Sequence, residues 1–559
     1  MGIHKFNKLK ALIKAIIPIK YRQHWVILHF RRWLNFNFIL RKKLLEQLTY
    51  KNKDASKSGN NGLRIFVPII EISHYQIFQI LILSKALQLR GANVKILICG
   101  EYLDGCEIKS VRNEKTSDPC SNCRFNAKHI LHLFNFEVVS LTDYITESDR
   151  VKFREDAASL TTQRDYKISR HGIDLSQAIN DSVIRYFYGA VPDNKELVDR
   201  VRKAHTMTAL LCSEVAHRVD NTWQPDVVFS NMSVYSAWEP FSLYYQNNGN
   251  RFNTVTMSAL NYNSLLINLP ALFQSTKRFE KYVKFRRDTL LNEEETNELK
   301  LFVNNRKSGE DRYFKNYAYY KNFTEQKIYK KINLNNAKRN LFLFSNVYWD
   351  TVSSERNKLF NSVLDWVLST IEIIKENHHC HLYIKPHPAE ILDSSSSLKG
   401  VLQVIKERYP VLPSNITIIE PKWKINTYDL FSYIDLGVIF NGTIGLEMML
   451  SDIPVVSTGK TPYQGLRFSM EPETVEQYHA ILLGNQQPPL VDKEQLELFA
   501  YFYFIKTKIP WTLTKQTYND NFDGFTINSL DDLKSGKDPY LDHLCNCILD
   551  AENTVPEAW

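Results

Sequence analysis

At 559 residues the chain is longer than one hydrophobic core supports, which excludes a single small module and implies two or more domains. A composition 44% hydrophobic and 23% charged is that of a folded protein and excludes a largely disordered one. The net charge of +9 is a local property: residues 1–60 hold 14 Lys and Arg against Glu46 and Asp54, so the remainder is slightly acidic and carries no general basis for nucleic-acid binding.

That basic segment, from Lys8-Leu9-Lys10 to Arg41-Lys42-Lys43, interleaves its cations with Leu12, Ile16, Trp25, Phe30, Trp33 and Phe38. Two readings stand side by side: a helix lying in the headgroup layer of an anionic membrane, and a helical arm packed on the protein with its cationic face in water. No apolar run approaches the roughly 18 residues a spanning helix needs, and charges interrupt every candidate core of a secretory signal. Eight cysteines fit a reducing cytosol. Cys106, Cys120, Cys123 and His129 have ligand types at workable spacing for zinc, but one Cys-x-x-Cys is a weak signal, and plain thiols are the preferred reading.

After a polar break at 51–62, Leu63–Ile70 reads as a strand, Ile77–Leu89 as a helix, Gly91 as its stop and Val94–Ile98 as a second strand. This βαβ unit implies a parallel sheet. Further strands are expected at Asp226–Phe229 and Asn253–Met257, which makes 61–270 a first α/β domain. Residues 271–335, charged and tyrosine-rich with a helical run over Asn292–Asn304, read as a connector. A second α/β series occupies 336–500, with strands at Asn340–Phe344, His381–Ile384, Ile416–Ile419, Leu436–Phe440 and Pro454–Ser457. Helices are expected at Val363–Lys375, Tyr428–Ile434 and onward from Thr443. Residues 501–559 are expected to pack back on the domains. The fold class is α/β: two Rossmann-like domains facing across a cleft, with a basic helical N-terminal extension.

Two strand ends carry chemistry. In Tyr383-Ile384-Lys385-Pro386-His387-Pro388 the prolines restrict the backbone around His387, and Lys385 adds a cation at the same end. In Ile439-Phe440-Asn441-Gly442-Thr443-Ile444-Gly445-Leu446-Glu447, Asn441, Gly442 and Thr443 can offer amides and a hydroxyl to a phosphate. Glu447, one turn on, suits ribose hydroxyls. Ser345 and Asn346 end the first strand of the same domain and would face the same crevice. Across the cleft a base is needed; Glu71 and His74, after the first strand, are the candidates, with Asn231 and Glu239 secondary. No Asp-x-Asp metal motif, Walker loop or Gly-x-Ser-x-Gly elbow is present, so no cofactor is required by any visible motif.

Lys385-Pro386-His387-Pro388, Asn441 to Glu447, Pro454-Val455-Val456 and Tyr463-Gln464-Gly465 together resemble the nucleotide-sugar half of bacterial capsule and surface-polysaccharide biosynthesis proteins, capsule Kdo transferases among them, over about residues 340–470. The resemblance implies a GT-B fold and a donor phosphate contacted by His387 and Pro388. It implies a glycosyltransferase acting with a nucleotide-sugar donor and a glycan or lipid-linked acceptor at the cytoplasmic membrane face, in capsule or lipopolysaccharide synthesis. Retaining GT-B enzymes often carry a Glu where this chain has Ile439, which leans towards inversion. A sugar-nucleotide epimerase of the same fold and a non-catalytic scaffold of a polysaccharide assembly are the alternatives.

Overall fold

The structure is a computed structural model. It describes residues 62–71, 76–111, 120, 123–124, 127, 131, 134–160, 167–189, 191–249, 251–258, 261–268, 275–286, 290–308, 330–334, 337–349, 359–360, 362–391, 399–423, 425–516, 522–527, 529–550 and 554–555. His74, His129 and the whole basic segment 1–60 lie outside the described residues.

The first unit is built on β1 (Arg64–Ile69), β2 (Asn93–Ile98) and β3 (Glu137–Ser140), followed by a small hairpin of β4 (Ser169–Arg170) and β5 (Ile173–Asp174). The main sheet continues with β6 (Val227–Ser230), β7 (Arg251–Ser258) and β8 (Asn261–Asn268). β3, β2, β1, β6 and β7 lie side by side in that order and are parallel, and β8 adds antiparallel to β7. Alternate residues of β1 enter different cores, as the period of a strand requires. Ile65, Val67 and Ile69 meet Ile80, Leu81 and Leu83 of the helix Gln76–Leu89 on one face. Phe66 meets Phe241, Tyr245 and Val215 on the other. Val215 belongs to the 29-residue helix Lys195–Trp223, which Asn194 caps by accepting from the Leu197 amide at 3.1 Å.

The second unit repeats the plan. β9 (Arg339–Phe344), β10 (Cys380–Lys385), β11 (Ile416–Ile418), β12 (Leu436–Ile439) and β13 (Val455–Ser457) form a parallel sheet in the order β11-β10-β9-β12-β13. β10 and β12 are buried along their whole length, which explains why they read as continuous apolar runs rather than alternating ones. Leu341 and Leu343 pack on Trp366 and Ile371 of the helix Val363–Lys375, while Phe342 and Phe344 face Ile439, Leu446 and Phe499. Counted along the chain, the parallel strands of both units have the order 3-2-1-4-5. Each sheet therefore has a switch point where successive strands depart in opposite directions, the place where open α/β sheets bind ligands.

The chain then returns to the first unit. β14 (Ile509–Pro510) pairs antiparallel with β8. The helix Pro539–Leu549, with Asp538 accepting from the Leu541 amide at 2.8 Å, buries Leu541, Leu544 and Ile548 against the helix Gln76–Leu89. An ion pair between Arg90 and Asp542 fastens that contact. The units also meet directly: at Gly189, with φ of +79°, a Cβ would lie 2.2 Å from the ring of Tyr348, so a side chain there would force them apart. Among the described residues no helix is long and apolar enough to cross a membrane.

Most of the expected strands are observed within a residue or two. Tyr428–Tyr433 is a 3-10 turn rather than an α-helix, and the connector helix spans Glu293–Ser308. β3, β8, β14 and the long helix Lys195–Trp223 were not anticipated.

Candidate functional site

In the second unit the switch point lies between the ends of β9 and β12, and a side-chain hydrogen bond spans it: Asn346 Nδ2 donates to Asn441 Oδ1 at 2.7 Å. Ser345 and Asn441 are buried, and Ser345 Oγ and Asn346 Oδ1 have no hydrogen-bond partner among the described residues. Thr458 Oγ1, just past β13, is in the same condition. Buried polar atoms are nearly always satisfied, so three orphans around one strand-end crevice mark it as a place for a polar ligand. Gly442 turns the chain at φ of +114°, a conformation that L side chains rarely adopt, and its amide precedes the seven-residue helix Thr443–Met449.

Lys385 closes β10 and is buried; desolvation lowers its pKa to about 8, so the ammonium persists at neutral pH. His387 is half-buried, and burial, then the neighbouring Lys385 charge, lower its pKa to about 4. With no anion bound, the imidazole is therefore neutral at pH 7. Pro388 opens a 3-10 turn to Ile391, and the Glu390 amide donates back to the His387 carbonyl at 3.0 Å, which fixes the loop. Outside the ends of β10 and β11 this loop borders a cavity of about 560 Å³ lined by Pro386, Glu390, Leu402, Gln403, Lys406 and Pro421.

Glu447 departs from expectation. It is 1% exposed, its Oε1 lies 2.7 Å from Arg306 Nη2, and Tyr428 donates its hydroxyl to Oε2. A carboxylate so enclosed is held by a guanidinium and a phenol, and does not stand open for ribose hydroxyls. Arg306, from the connector helix, also reaches Thr443 Oγ1 at 3.5 Å and sits beside the rings of Phe302 and Phe504. The connector thus grips the helix that begins at Thr443. Arg306, Tyr428 and Thr458 were missed from the sequence. The available signal for Arg306 was its place on the apolar stripe Leu299, Phe302, Val303, Arg306, where a solvated cation is out of register.

In the first unit the matching switch point lies between β1 and β6. Glu71 follows β1 and is half-buried, and Ser230 at the end of β6 donates to the Pro68 carbonyl at 2.9 Å. Asn231 Oδ1 is buried without a hydrogen-bond partner among the described residues, and Glu239 opens the helix Glu239–Asn247. Beside Glu71 stands a second carboxylate, Glu107, from the loop after β2, which the sequence reading also missed. Burial raises its pKa to about 7, against the opposing pull of Ser182, Arg185 and its own backbone amide, and Glu71 adds to the rise.

The cysteine set does not converge. Among the described residues no three His, Cys, Asp or Glu side chains could hold a metal ion, so Cys106, Cys120 and Cys123 are not a shared ligand set.

No protein-family model matches the chain, and no curated protein matches it. Among solved structures it is similar to a β-Kdo 2,4 transferase, KpsC, of Thermosulfurimonas dismutans, at 14% identity over 56% of this chain and 88% of the other, with a TM-score of 0.32. It is also similar to a glycosyltransferase from Rickettsia africae, at 11% identity over 88% of this chain and 99% of the other, TM-score 0.25. A UDP-GlcNAc 2-epimerase from Neisseria meningitidis bound to UDP-GlcNAc is similar at 9% identity over 78% and 98%, TM-score 0.22. The two largely parallel sheets with their covering helices make the chain an α/β protein.

Proposed function

We propose that the protein is a GT-B glycosyltransferase that moves a sugar from a nucleotide-sugar donor to a growing surface glycan, of capsule or lipopolysaccharide type. The observation that carries this reading is the second switch point, where Asn346 and Asn441 bridge two strand ends beside buried Lys385 and the His387 loop. An ammonium and an imidazole at one end of a crevice suit a phosphate. The orphaned hydroxyl and amide oxygens of Ser345, Asn346 and Thr458 suit the polar remainder of a nucleotide. In the proposed reaction the leaving phosphate is stabilised by Lys385, His387 and the amides from Asn441 to Thr443, fixed donors that need no reorganisation as charge develops. The lean towards an inverting displacement rests on the resemblance, since Ile439 stands where retaining GT-B enzymes often carry a Glu. The surface-glycan acceptor rests on the resemblance at Lys385–Pro388 and Asn441–Glu447. Membrane attachment through the basic segment 1–60 rests on its composition.

Thermal shift and calorimetry against UDP-, GDP-, CMP- and CDP-sugars test the reading, since a ligand of the native state raises its melting temperature. One class of nucleotide sugar should bind, and His387→Ala should abolish most of that affinity. Absence of binding by every donor sinks the proposal, and turnover of a bound donor to another sugar nucleotide with no acceptor present replaces it with an epimerase. Deleting residues 1–50 should release the protein from anionic vesicles; retention by the truncated form refutes the membrane arm.

A further inference from the structure

We propose that Glu107 is the base that takes the proton of the acceptor hydroxyl, in a subsite where the ends of β1 and β6 meet the chain just past β9. The inference rests on the transferase reading above and gives Glu107 the role for which Glu71 and His74 are the sequence candidates.

The carboxylate is oriented from one side. Ser182, on the helix Ser176–Tyr186, donates to Glu107 Oε1 at 2.6 Å, and Ser236 Oγ stands 3.4 Å from the same oxygen. The serines are themselves fixed: the Ser236 amide donates to Ser182 Oγ at 2.8 Å, and His205 Nδ1 is hydrogen-bonded to Ser236 Oγ at 2.8 Å. Oε2 is left buried with no hydrogen-bond partner among the described residues. An acceptor held by one oxygen with the other reserved is costly in a protein that gains nothing from it, and such exceptions concentrate where a ligand completes the set.

A neighbour of this carboxylate, Arg185, reaches the second unit. Arg185 acts on Glu107 through its charge; its guanidinium donates to Tyr235 Oη at 3.2 Å and lies 5.7 Å from the ring centre of Trp349, which belongs to the second unit. Trp349 packs edge-on against Tyr188 at 5.1 Å and follows Ser345 and Asn346 at the end of β9. Among the described residues its Nε1 is also buried without a hydrogen-bond partner, as is Asn231 Oδ1 at the end of β6. A sugar hydroxyl, which both donates and accepts, can satisfy an unmatched acceptor such as Glu107 Oε2.

In the step assigned, the acceptor O–H bond breaks and its proton passes to Glu107 Oε2. The acceptor oxygen forms a bond to the anomeric carbon of the donor, and the bond from that carbon to the phosphate oxygen breaks. The electron pair leaves with the nucleotide phosphate, towards Lys385 and His387. No oxidant, reductant or further reactant is involved. A pKa raised to about 7, through burial foremost, lets the same group accept a proton near neutral pH and return it to water afterwards.

The test uses the full chain and whichever UDP-, GDP-, CMP- or CDP-sugar it binds, with a lipid-linked glycan extract as acceptor and nucleotide release as readout. Glu107→Gln keeps an oxygen for Ser182 but cannot take a proton. It should bind the donor as the wild type does and release nucleotide about 10²- to 10⁴-fold more slowly. The rate rise of the wild type through pH 7 should vanish, and formate should restore part of the rate in Glu107→Ala. A wild type that binds no nucleotide sugar overturns the transferase reading itself. Release by Glu107→Gln within a few-fold of the wild type with an unchanged pH profile overturns the base assignment alone. So does a wild type that binds the donor and releases no nucleotide. Loss of donor affinity and stability together, with no shift in the pH profile and no rescue by formate, shows a structural role and also overturns it.

Discussion

The two sheets share one strand order and differ in what their switch points carry. Past β1 and β6 stand two carboxylates, Glu71 and Glu107, with one cation, Arg185, and the neutral groups Ser182, Ser236 and a His205 whose pKa burial lowers to about 3. Past β9, β10 and β12 stand Lys385, His387 and the buried Arg306, held with Glu447. Topology provides a crevice in both units, and the residues placed just beyond the strand ends decide which charge it receives. A reaction that removes a proton on one side and releases an anion on the other needs this asymmetry.

The largest effect should come from the ion pair that ties the connector to the second unit. Arg306 and Glu447 are 4% and 1% exposed, so Arg306→Met leaves a buried carboxylate with Tyr428 alone and should destabilise by about 3–5 kcal/mol. The double variant Arg306→Met, Glu447→Met should recover most of that loss in denaturant melts, because no bare charge remains. Equal destabilisation in both would show that packing, not charge, holds the connector. Next is the pH response of the first unit. The folded pKa of Glu107 lies above its ordinary value, so its contribution to stability is complete below about pH 4.5 and is lost as pH rises through about 7. A shift of this size is worth roughly 3 kcal/mol. Glu107→Gln should therefore melt higher than the wild type at pH 8 and lose that difference near pH 5.

The frame was legible because parallel strands buried on both faces leave continuous apolar runs: Leu341–Phe344, Leu382–Ile384 and Leu436–Ile439 announce themselves, and their polar breaks mark the crevice. β3 escaped notice because Glu137 and Val138 are exposed and the strand is four residues long, and β14 because it is two residues ending in proline. The acidic side was illegible for a different reason. Glu107 sits in a loop with no period to read, and its partners Ser182 and Ser236 lie 75 and 129 positions further along the chain, brought to it by tertiary packing alone. Glu447 was legible as a residue one turn past Thr443 but not in its partner, since nothing local links it to Arg306.

Two smaller effects sharpen the cationic side. His387, with its pKa lowered to about 4, loses stability on protonation as pH falls below the ordinary histidine range. A bound phosphate reverses that balance by favouring the imidazolium, so donor binding should take up a proton and tighten from pH 8 to pH 6. Calorimetry in buffers of different ionisation enthalpy measures the uptake. His387→Ala should remove it and weaken binding by roughly 1.5–3 kcal/mol, about ten- to 150-fold in Kd. Proton uptake that survives the substitution would move the role to another group.

Asn346→Ala tests the switch point at its mildest. It deletes the 2.7 Å bond to Asn441 Oδ1 and with it the orphaned Asn346 Oδ1, so one lost interaction is partly offset by one relieved desolvation. Stability should fall by no more than about 1 kcal/mol. Donor affinity should fall further than stability if that oxygen is reserved for the nucleotide, because the ligand then loses its partner while the fold loses little. An affinity change no larger than the stability change would make the Asn346–Asn441 bridge a strand-end brace, and would leave Lys385 and His387 to hold the donor without it.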